Sequence, residues 1–221
     1  ISRAILASGR ENLDWSSDYK LFSRSPWESK DLFLPSVEKS LQYSRTDYIA
    51  IGFDDTCIQK NGRHIPGVSY CRDPMSPPFH TNFILGKRFL QASDLLPLYL
   101  TSETAMSARA IPIAFNDIAP VKKPKRNASD AEWMVYKEEK KKRNLSISFV
   151  DLACDIRKAY DDAGAAHKLL VLVGDGSFCN STVFTHNYDR CIVLARARKD
   201  ARLCFRATNS KRRYYDSTTF T

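Results

Sequence analysis

The clearest hydrophobic pattern in this chain consists of two short apolar runs that each end at an aspartate. Residues 48–53 lead into Asp54, and residues 169–174 lead into Asp175. Short continuous apolar runs that are bounded by polar residues predict buried β-strands. We therefore expect two core strands, each with a carboxylate at its carboxyl end.

The first 45 residues carry apolar positions at helical spacing, interrupted at Gly9 and at Pro26. This pattern predicts helices with breaks between them. We expect residues 1–45 to form an N-terminal helical segment that precedes the main core.

Strand patterns follow the first apolar run. They cover 65–71 and about 80–91, with turn signals between them. Together with the strand at 48–53 they predict an antiparallel meander of three strands. The stretch from about 101 to 128 contains three prolines and little apolar periodicity, so we expect a surface loop there.

The second half of the chain alternates between helix and strand patterns. Ser129 and Glu132 have the spacing of a capping box, and one long helical pattern extends from there to Tyr160. Three further elements are predicted after it: the buried strand at 169–173, a short helix near 181–184 and a strand at about 191–195.

The order of these elements predicts the fold class. A meander followed by alternating helices and strands builds a mixed sheet with helices on its faces, and a strand after a long crossover can lie parallel to the first. We therefore expect the strands that end at Asp54 and Asp175 to be neighbours. The predicted fold is α/β, a ribonuclease-H-like mixed sheet flanked by helices, with residues 46–221 as a catalytic core that is incomplete at the C-terminus.

Charge favours a polyanionic partner. The formal net charge is +9, and basic residues are concentrated in four runs, at 122–126, 140–143, 196–199 and 211–213. Each phosphate that such residues neutralise releases counterions, which adds affinity for nucleic acid irrespective of its sequence. A single basic run is equally typical of a solvated helix face, so the inference depends on the four runs together.

Several classes of protein are not favoured by the sequence. No run approaches the length of a membrane helix, and the first residues lack the features of a signal peptide. The six cysteines contain no C-x-x-C pair, and the four histidines do not have zinc-ligand spacing. We expect a protein of a reducing, intracellular compartment without structural zinc.

The two strand-end aspartates suggest metal-dependent chemistry on a phosphodiester. Oxygen ligands suit Mg²⁺ or Mn²⁺, and a carboxylate shared by two such ions is a common protein contribution to this chemistry. Asp54 and Asp175 fit this requirement, with Asp55 as a further candidate, although Asp55 points to the opposite face if its strand continues. Thr56 and Lys60 could support the site. The alternative is that Asp54, Asp55 and Thr56 form a plain turn with side-chain caps.

Four segments resemble motifs of bacterial insertion-sequence transposases of the DDE superfamily endonuclease type. In chain order they are Phe22 to Trp27 (FSRSPW), Phe53 to Val68 (FDDTCIQKNGRHIPGV), Val173 to Phe178 (VGDGSF) and Arg196 to Leu203 (RARKDARL). Any one of these motifs alone is a weak signal. Together, in the order of the family and across nearly the whole chain, they are a strong one.

The resemblance implies a DNA transposase that performs metal-dependent strand cleavage and strand transfer during transposition of an insertion sequence. Asp54 and Asp175 would be the first two ligands of two Mg²⁺ or Mn²⁺ ions. The implied partner is double-stranded DNA, both transposon ends and target, bound by a homodimer in a synaptic complex in the bacterial cytoplasm and nucleoid. Candidate DNA-backbone contacts are Lys60, Arg196, Arg198 and Lys199.

The resemblance also implies a third ligand, a glutamate on a later helix, and the sequence shows no segment of that kind. We therefore expect a C-terminally truncated fragment that is inactive alone. Two alternatives remain open. One is a haloacid-dehalogenase-like phosphohydrolase, although Thr56 and Cys179 stand where its motifs carry aspartates. The other is a catalytically dead transposase remnant that only binds DNA.

Overall fold

A computed structural model describes residues 2–24, 26, 28–73, 75–77, 79–98, 107–197, 203–206 and 215–220. Its centre is a mixed six-stranded sheet. The strands are β1 Tyr48–Gln59, β2 Ser69–Arg72, β3 Phe83–Leu98, β4 Ser107–Asp117, β5 Leu169–Gly174 and β6 Cys191–Ala195. Two more strands, β7 Leu203–Arg206 and β8 Tyr215–Phe220, pair with each other antiparallel and were not predicted.

Helices precede the sheet and connect its strands. They are α1 Ser2–Ala7, α2 Ser16–Arg24, α3 Leu34–Tyr43, α4 Asp130–Lys142, α5 Leu145–Tyr160 and α6 Ser181–Phe184. The first three lie within residues 1–45. Val37 of α3 is buried in the same core as the central strands, so this segment packs on the sheet through α3. The α/β class with a mixed sheet is thus confirmed. Within the described residues, none of the helices has the length and apolar character that a bilayer crossing requires.

The sheet order differs from the predicted meander. The order is β2-β3-β1-β5-β6, and β4 pairs with β3 beside β2. β1 therefore lies between β3, its antiparallel neighbour, and β5, its parallel neighbour. The meander prediction is wrong because β3, with its 16 residues, pairs with β1 along one edge and with both β2 and β4 along the other. The prediction that the strands ending at the two aspartates are neighbours is confirmed.

The prediction of a surface loop over 101–128 is wrong for the residues of β4, and 101–106 lie outside the described residues. Residues Ser107–Asp117 form a strand, whereas 118–129 have no regular structure. Pro112 was one reason for predicting a loop, since proline cannot donate a hydrogen bond to a neighbouring strand. Here the proline is exposed on a strand whose only partner among the described residues is β3, and the pairing slips at Ala92/Ser93 opposite it. Edge strands and bulges are the positions where a sheet tolerates proline.

The prediction of a single long helix from the capping box to Tyr160 is wrong in one respect. The capping box itself is present, because the Ser129 side chain accepts from the Glu132 backbone N–H and the Glu132 carboxylate accepts from the Ser129 N–H. The helix ends at Lys142, however, and a second helix begins at Leu145. Asn144 separates them with an extended backbone, and its side chain accepts from the Ile147 N–H, which caps α5.

α5 covers one face of the sheet and creates the main core. Alternate residues of β1, namely Ile49, Ile51 and Phe53, are buried on this face, as are Leu170 and Leu172 of β5. They pack in one cluster with α5 side chains that include Phe149, Leu152 and Ile156. The intervening residues face the other side, where Ile192 and Leu194 of β6 are about half exposed (49% and 52%).

A buried arginine fixes the chain where α5 turns into β5. Arg157 donates from Nη1 to the Lys168 carbonyl (2.8 Å) and from Nη2 to the Ala165 carbonyl (3.0 Å) and to Asp161 (2.6 Å). Gly164 adopts a left-handed conformation (φ 86°) within this turn. The turn is therefore held tightly, and with it the start of the strand that leads to Asp175.

Candidate functional site

Asp54 and Asp175 lie next to the same register pair of two neighbouring parallel strands. The register of β1 and β5 runs from Tyr48 opposite Leu169 to Phe53 opposite Gly174. The next residue along the chain is Asp54 on one side, still within β1, and Asp175 on the other, directly after β5. Adjacent strands lie about 4.8 Å apart, so residues that are 121 positions apart in sequence meet at one place on the sheet.

Asp54 lies within a strand rather than in a turn. β1 continues beyond it as far as Gln59, and its exposure alternates through this region. Asp54 is exposed on the face away from α5, because Phe53 before it is buried beneath that helix. The alternative of a plain turn at Asp54, Asp55 and Thr56 is therefore wrong.

Asp175 has an extended backbone and begins a short 3₁₀ turn, Gly176–Phe178. Its Oδ1 accepts from the Ser177 N–H (2.9 Å), and its Oδ2 accepts from the Ser177 hydroxyl (3.3 Å). The side chain is exposed. Each carboxylate oxygen has a second lone pair, so these bonds orient the group without using up its capacity as a ligand.

Three aromatic rings lie beneath the two aspartates. Phe149 of α5 contacts Phe53 (ring centroids 4.3 Å apart) on one side and Phe178 (4.9 Å) on the other. A Cβ atom on Gly174 would approach the Phe178 ring to 2.9 Å. Only glycine at position 174 therefore allows the turn after Asp175 to pack the Phe178 ring this closely. The contacts from Phe178 through Phe149 to Phe53 then link the position of Asp175 to that of β1. The sequence motifs contain Phe53, Gly174 and Phe178, but Phe149 was not predicted.

The donor set fits a hard divalent cation in type but is small. Asp54 and Asp175 supply carboxylate oxygens, which Mg²⁺ and Mn²⁺ prefer. Over the described part of the chain, no group of three or more His, Cys, Asp or Glu side chains is arranged to hold a metal ion. Asp54 and Asp175 are the two carboxylate-bearing residues that directly follow the last register pair of β1 and β5.

No family model, curated protein or solved structure matches the chain. The functional argument therefore depends on the residues themselves and on the geometry of the sheet.

Asp55 faces a different environment from Asp54. Its Oδ2 accepts from Nε of Arg88 on β3 (2.6 Å), and the Asp55 side chain is only 19% exposed. The hydrogen bond to Asp55 raises the pKa of Arg88, and burial opposes that shift. The alternation of β1 places this ion pair on the opposite face from Asp54. Arg88 could not be predicted from the sequence, because its role depends on the antiparallel register of β1 and β3.

The basic residues predicted to contact DNA are distributed unevenly. Arg196 is exposed and directly follows β6, and its backbone N–H donates to the Gly174 carbonyl (3.4 Å), so it lies beside the Asp175 turn. Lys60 follows the far end of β1, about 20 Å along the strand from Asp54 at roughly 3.3 Å per residue. Thr56 is exposed on the same face as Asp54. Arg198 and Lys199 lie outside the described residues.

Proposed function

We propose that this chain is a DNA transposase of the DDE type, which cuts DNA strands and joins them to a target in a metal-dependent reaction. The observation that supports this best is the register of β1 and β5, which makes the aspartates of two separate motifs neighbours. The mixed sheet with β1 between an antiparallel and a parallel partner is compatible with the ribonuclease-H-like fold that the resemblance implies.

In this proposal Asp54 and Asp175 hold two Mg²⁺ or Mn²⁺ ions through their carboxylate oxygens. When bound, such a metal pair activates the attacking water or hydroxyl and stabilises the leaving oxygen of the phosphodiester. The contribution of the protein is to fix both carboxylates. Asp54 is held by the antiparallel ladder with β3, in which it pairs with Gln91, and Asp175 is held by its bonds to Ser177. Both side chains are exposed, which leaves room for a DNA strand.

The charge of the chain supports double-stranded DNA as the substrate. The net charge is +9, and Arg196 places one exposed cation next to the Asp175 turn. A guanidinium at that position can pair with a backbone phosphate while the neighbouring phosphodiester faces the carboxylates. Affinity for DNA should therefore fall steeply as the salt concentration rises.

The proposed cleavage requires a third carboxylate ligand in addition to Asp54 and Asp175. The family resemblance implies one more acidic ligand, and the described residues contain no group of three potential ligands. We propose that these 221 residues bind DNA and divalent metal but need a further carboxylate to cut DNA.

Nicking of supercoiled DNA in Mg²⁺, by a chain that supplies the third carboxylate, tests the proposed activity. Asp54→Ala and Asp175→Ala should each abolish nicking and leave the circular dichroism spectrum and DNA binding unchanged. Asp47→Asn is the matched control, because this exposed aspartate directly precedes β1 at the opposite end of the same strand. Nicking that survives in the Asp54 or the Asp175 variant would remove that residue from the site.

Two other results would identify different activities. DNA binding without any binding of divalent metal would support a remnant that no longer cuts DNA, which is the alternative that the two-carboxylate donor set favours. Hydrolysis of small phosphoesters that Asp54→Ala abolishes would instead support a phosphohydrolase.

A further inference from the structure

We propose that Cys57 and Cys71 form a redox modification site, in which hydrogen peroxide converts the two thiols into a disulfide that joins β1 to β2 across β3. Both cysteines are free in the structure. Their Sγ atoms nevertheless lie 2.6 Å apart. The proposal concerns the far half of β1 and does not depend on the proposed transposase function.

The contact is unusual because the two strands are not neighbours. β3 lies between β1 and β2, so the two side chains must lean towards each other over the intervening strand. Gly86 of β3 makes this possible, since it pairs with Gln59 of β1 and with Ser69 of β2. A Cβ atom at Gly86 would collide with Sγ of Cys57 and would lie 3.2 Å from Sγ of Cys71. The absence of a side chain at this one position creates the space in which the thiols meet.

A small oxidant can reach the pair through a cavity. A cavity of about 390 Å³ lies between the sheet, the loop after β4 and the end of α4, and Cys71 and Gly86 are among its lining residues. Lys140 and Arg88, which pairs with Asp55, also line it. Cys71 is therefore the thiol that peroxide meets first, with Cys57 next to it.

The chemistry balances with one molecule of hydrogen peroxide. The Cys71 sulfur attacks one peroxide oxygen, the O–O bond breaks, and a sulfenic acid and one water are formed. The Cys57 sulfur then attacks the Cys71 sulfur and forms the S–S bond. The hydroxyl of the sulfenic acid leaves as a second water. Two thiols lose two electrons and two protons, and the peroxide is reduced to two waters.

The rate of the second step should increase with pH. Burial, followed by the hydrogen bond with Cys71, raises the pKa of Cys57 to about 11. Thiolate is the attacking form, so a larger thiolate fraction at higher pH speeds disulfide formation. The oxidation is thus expected to be slow at neutral pH and faster in mildly alkaline buffer.

Peptide mapping of the intact chain tests the proposal. The chain is treated with hydrogen peroxide, denatured, alkylated with iodoacetamide and digested with trypsin without reduction. Lys60 and Arg63 lie between the two cysteines, so trypsin separates them unless a disulfide holds the peptides together. We expect the number of alkylated cysteines to fall from six to four and a Cys57–Cys71 peptide pair to appear, which dithiothreitol then separates.

Two variants control for non-specific oxidation. Cys57→Ser should abolish the linked peptide, whereas Cys154→Ser should leave it unchanged, because Cys154 is exposed on α5. The proposal is overturned if Cys57 and Cys71 both remain alkylated, if either pairs with another cysteine, or if Cys71 proceeds to a sulfinic acid while Cys57 stays a thiol.

Discussion

Asp54 and Asp175 each directly follow the last register pair of the parallel strands β1 and β5, Phe53 and Gly174. One aspartate lies inside a continuing strand, and the other begins a 3₁₀ turn. The two carboxylates therefore come from structurally different segments that the sheet fixes at one place. This relationship is the basis of the proposed metal site, and it makes the roles of the surrounding residues testable.

Asp55 should not be needed for metal binding, although it directly follows Asp54. The strand turns it to the opposite face, where it pairs with Arg88. We expect Asp55→Asn to leave the affinity for Mn²⁺ unchanged and to lower the free energy of unfolding by no more than about 1 kcal/mol, as for a partly exposed ion pair. Mn²⁺ titration and urea unfolding measure the two effects. Loss of metal binding in this variant would show that both aspartates act on the same face.

Gly174 and Gly176 should respond differently to alanine. At Gly174 a Cβ would press on the buried Phe178 ring at 2.9 Å, whereas at Gly176 the nearest atom is the Arg196 carbonyl oxygen at an ordinary 3.5 Å. Gly174→Ala is expected to lower the free energy of unfolding by about 1 to 3 kcal/mol through overpacking. Gly176→Ala, the matched control, should change it much less. Equal effects in urea unfolding would contradict this packing role of Gly174.

Asp94 should make stability decline as the pH rises. It is buried (3% exposed) and accepts a hydrogen bond from the Tyr160 hydroxyl (2.8 Å). Burial raises the pKa of Asp94, and hydrogen bonds from Ser40 and Tyr160 only partly oppose this. The folded state therefore binds the proton more tightly than the unfolded state. The resulting stabilisation is present at acidic pH, below the unfolded pKa of about 4, and is lost as the pH rises through the folded value.

Asp94→Asn removes this titration and keeps a side-chain oxygen for Tyr160. Its stability relative to the unmodified chain should improve as the pH rises from 4 to 7.5. Urea unfolding at several pH values measures the difference. A difference that is constant with pH would show that the Asp94 carboxyl does not titrate differently in the folded and unfolded states.

Arg196 should contribute to DNA affinity without reading its sequence. It is exposed beside the Asp175 turn, so its proposed contact is a backbone phosphate. Arg196→Ala is expected to weaken binding to unrelated duplexes to a similar extent and to reduce the slope of log affinity against log salt by about 1. Lys20→Ala, at an exposed position of α2, is the control. An unchanged slope for Arg196→Ala would exclude the phosphate contact.

The sequence predicted the part of the fold that depends on local apolar runs. β1 and β5 were recognisable because continuous apolar residues are typical of strands covered on both faces, and the long crossover favoured a parallel pair. β4 was missed because Pro112 and weak periodicity resemble a loop. Its status as an edge strand, which makes the proline tolerable, is a property of the assembled sheet.

The residues of the candidate site also divide into those that the local sequence predicts and those whose role depends on the assembled sheet. Asp54 and Asp175 were predicted from their positions at the ends of apolar runs. The partner of Asp55 could not be predicted, because Arg88 meets it only through the antiparallel pairing of β1 and β3. Phe149 could not be assigned to the site either, since it is distant in sequence and contacts Phe53 and Phe178 only when α5 packs on the sheet.

Mn²⁺ binding to the chain and to its single variants, followed by electron paramagnetic resonance of the free ion, tests the shared metal site most directly. If Asp54 and Asp175 hold the metal together, Asp54→Asn and Asp175→Asn each remove the binding, and Asp47→Asn, about 23 Å away along β1 at 3.3 Å per residue, retains it. Binding that survives in both single variants would contradict a shared site.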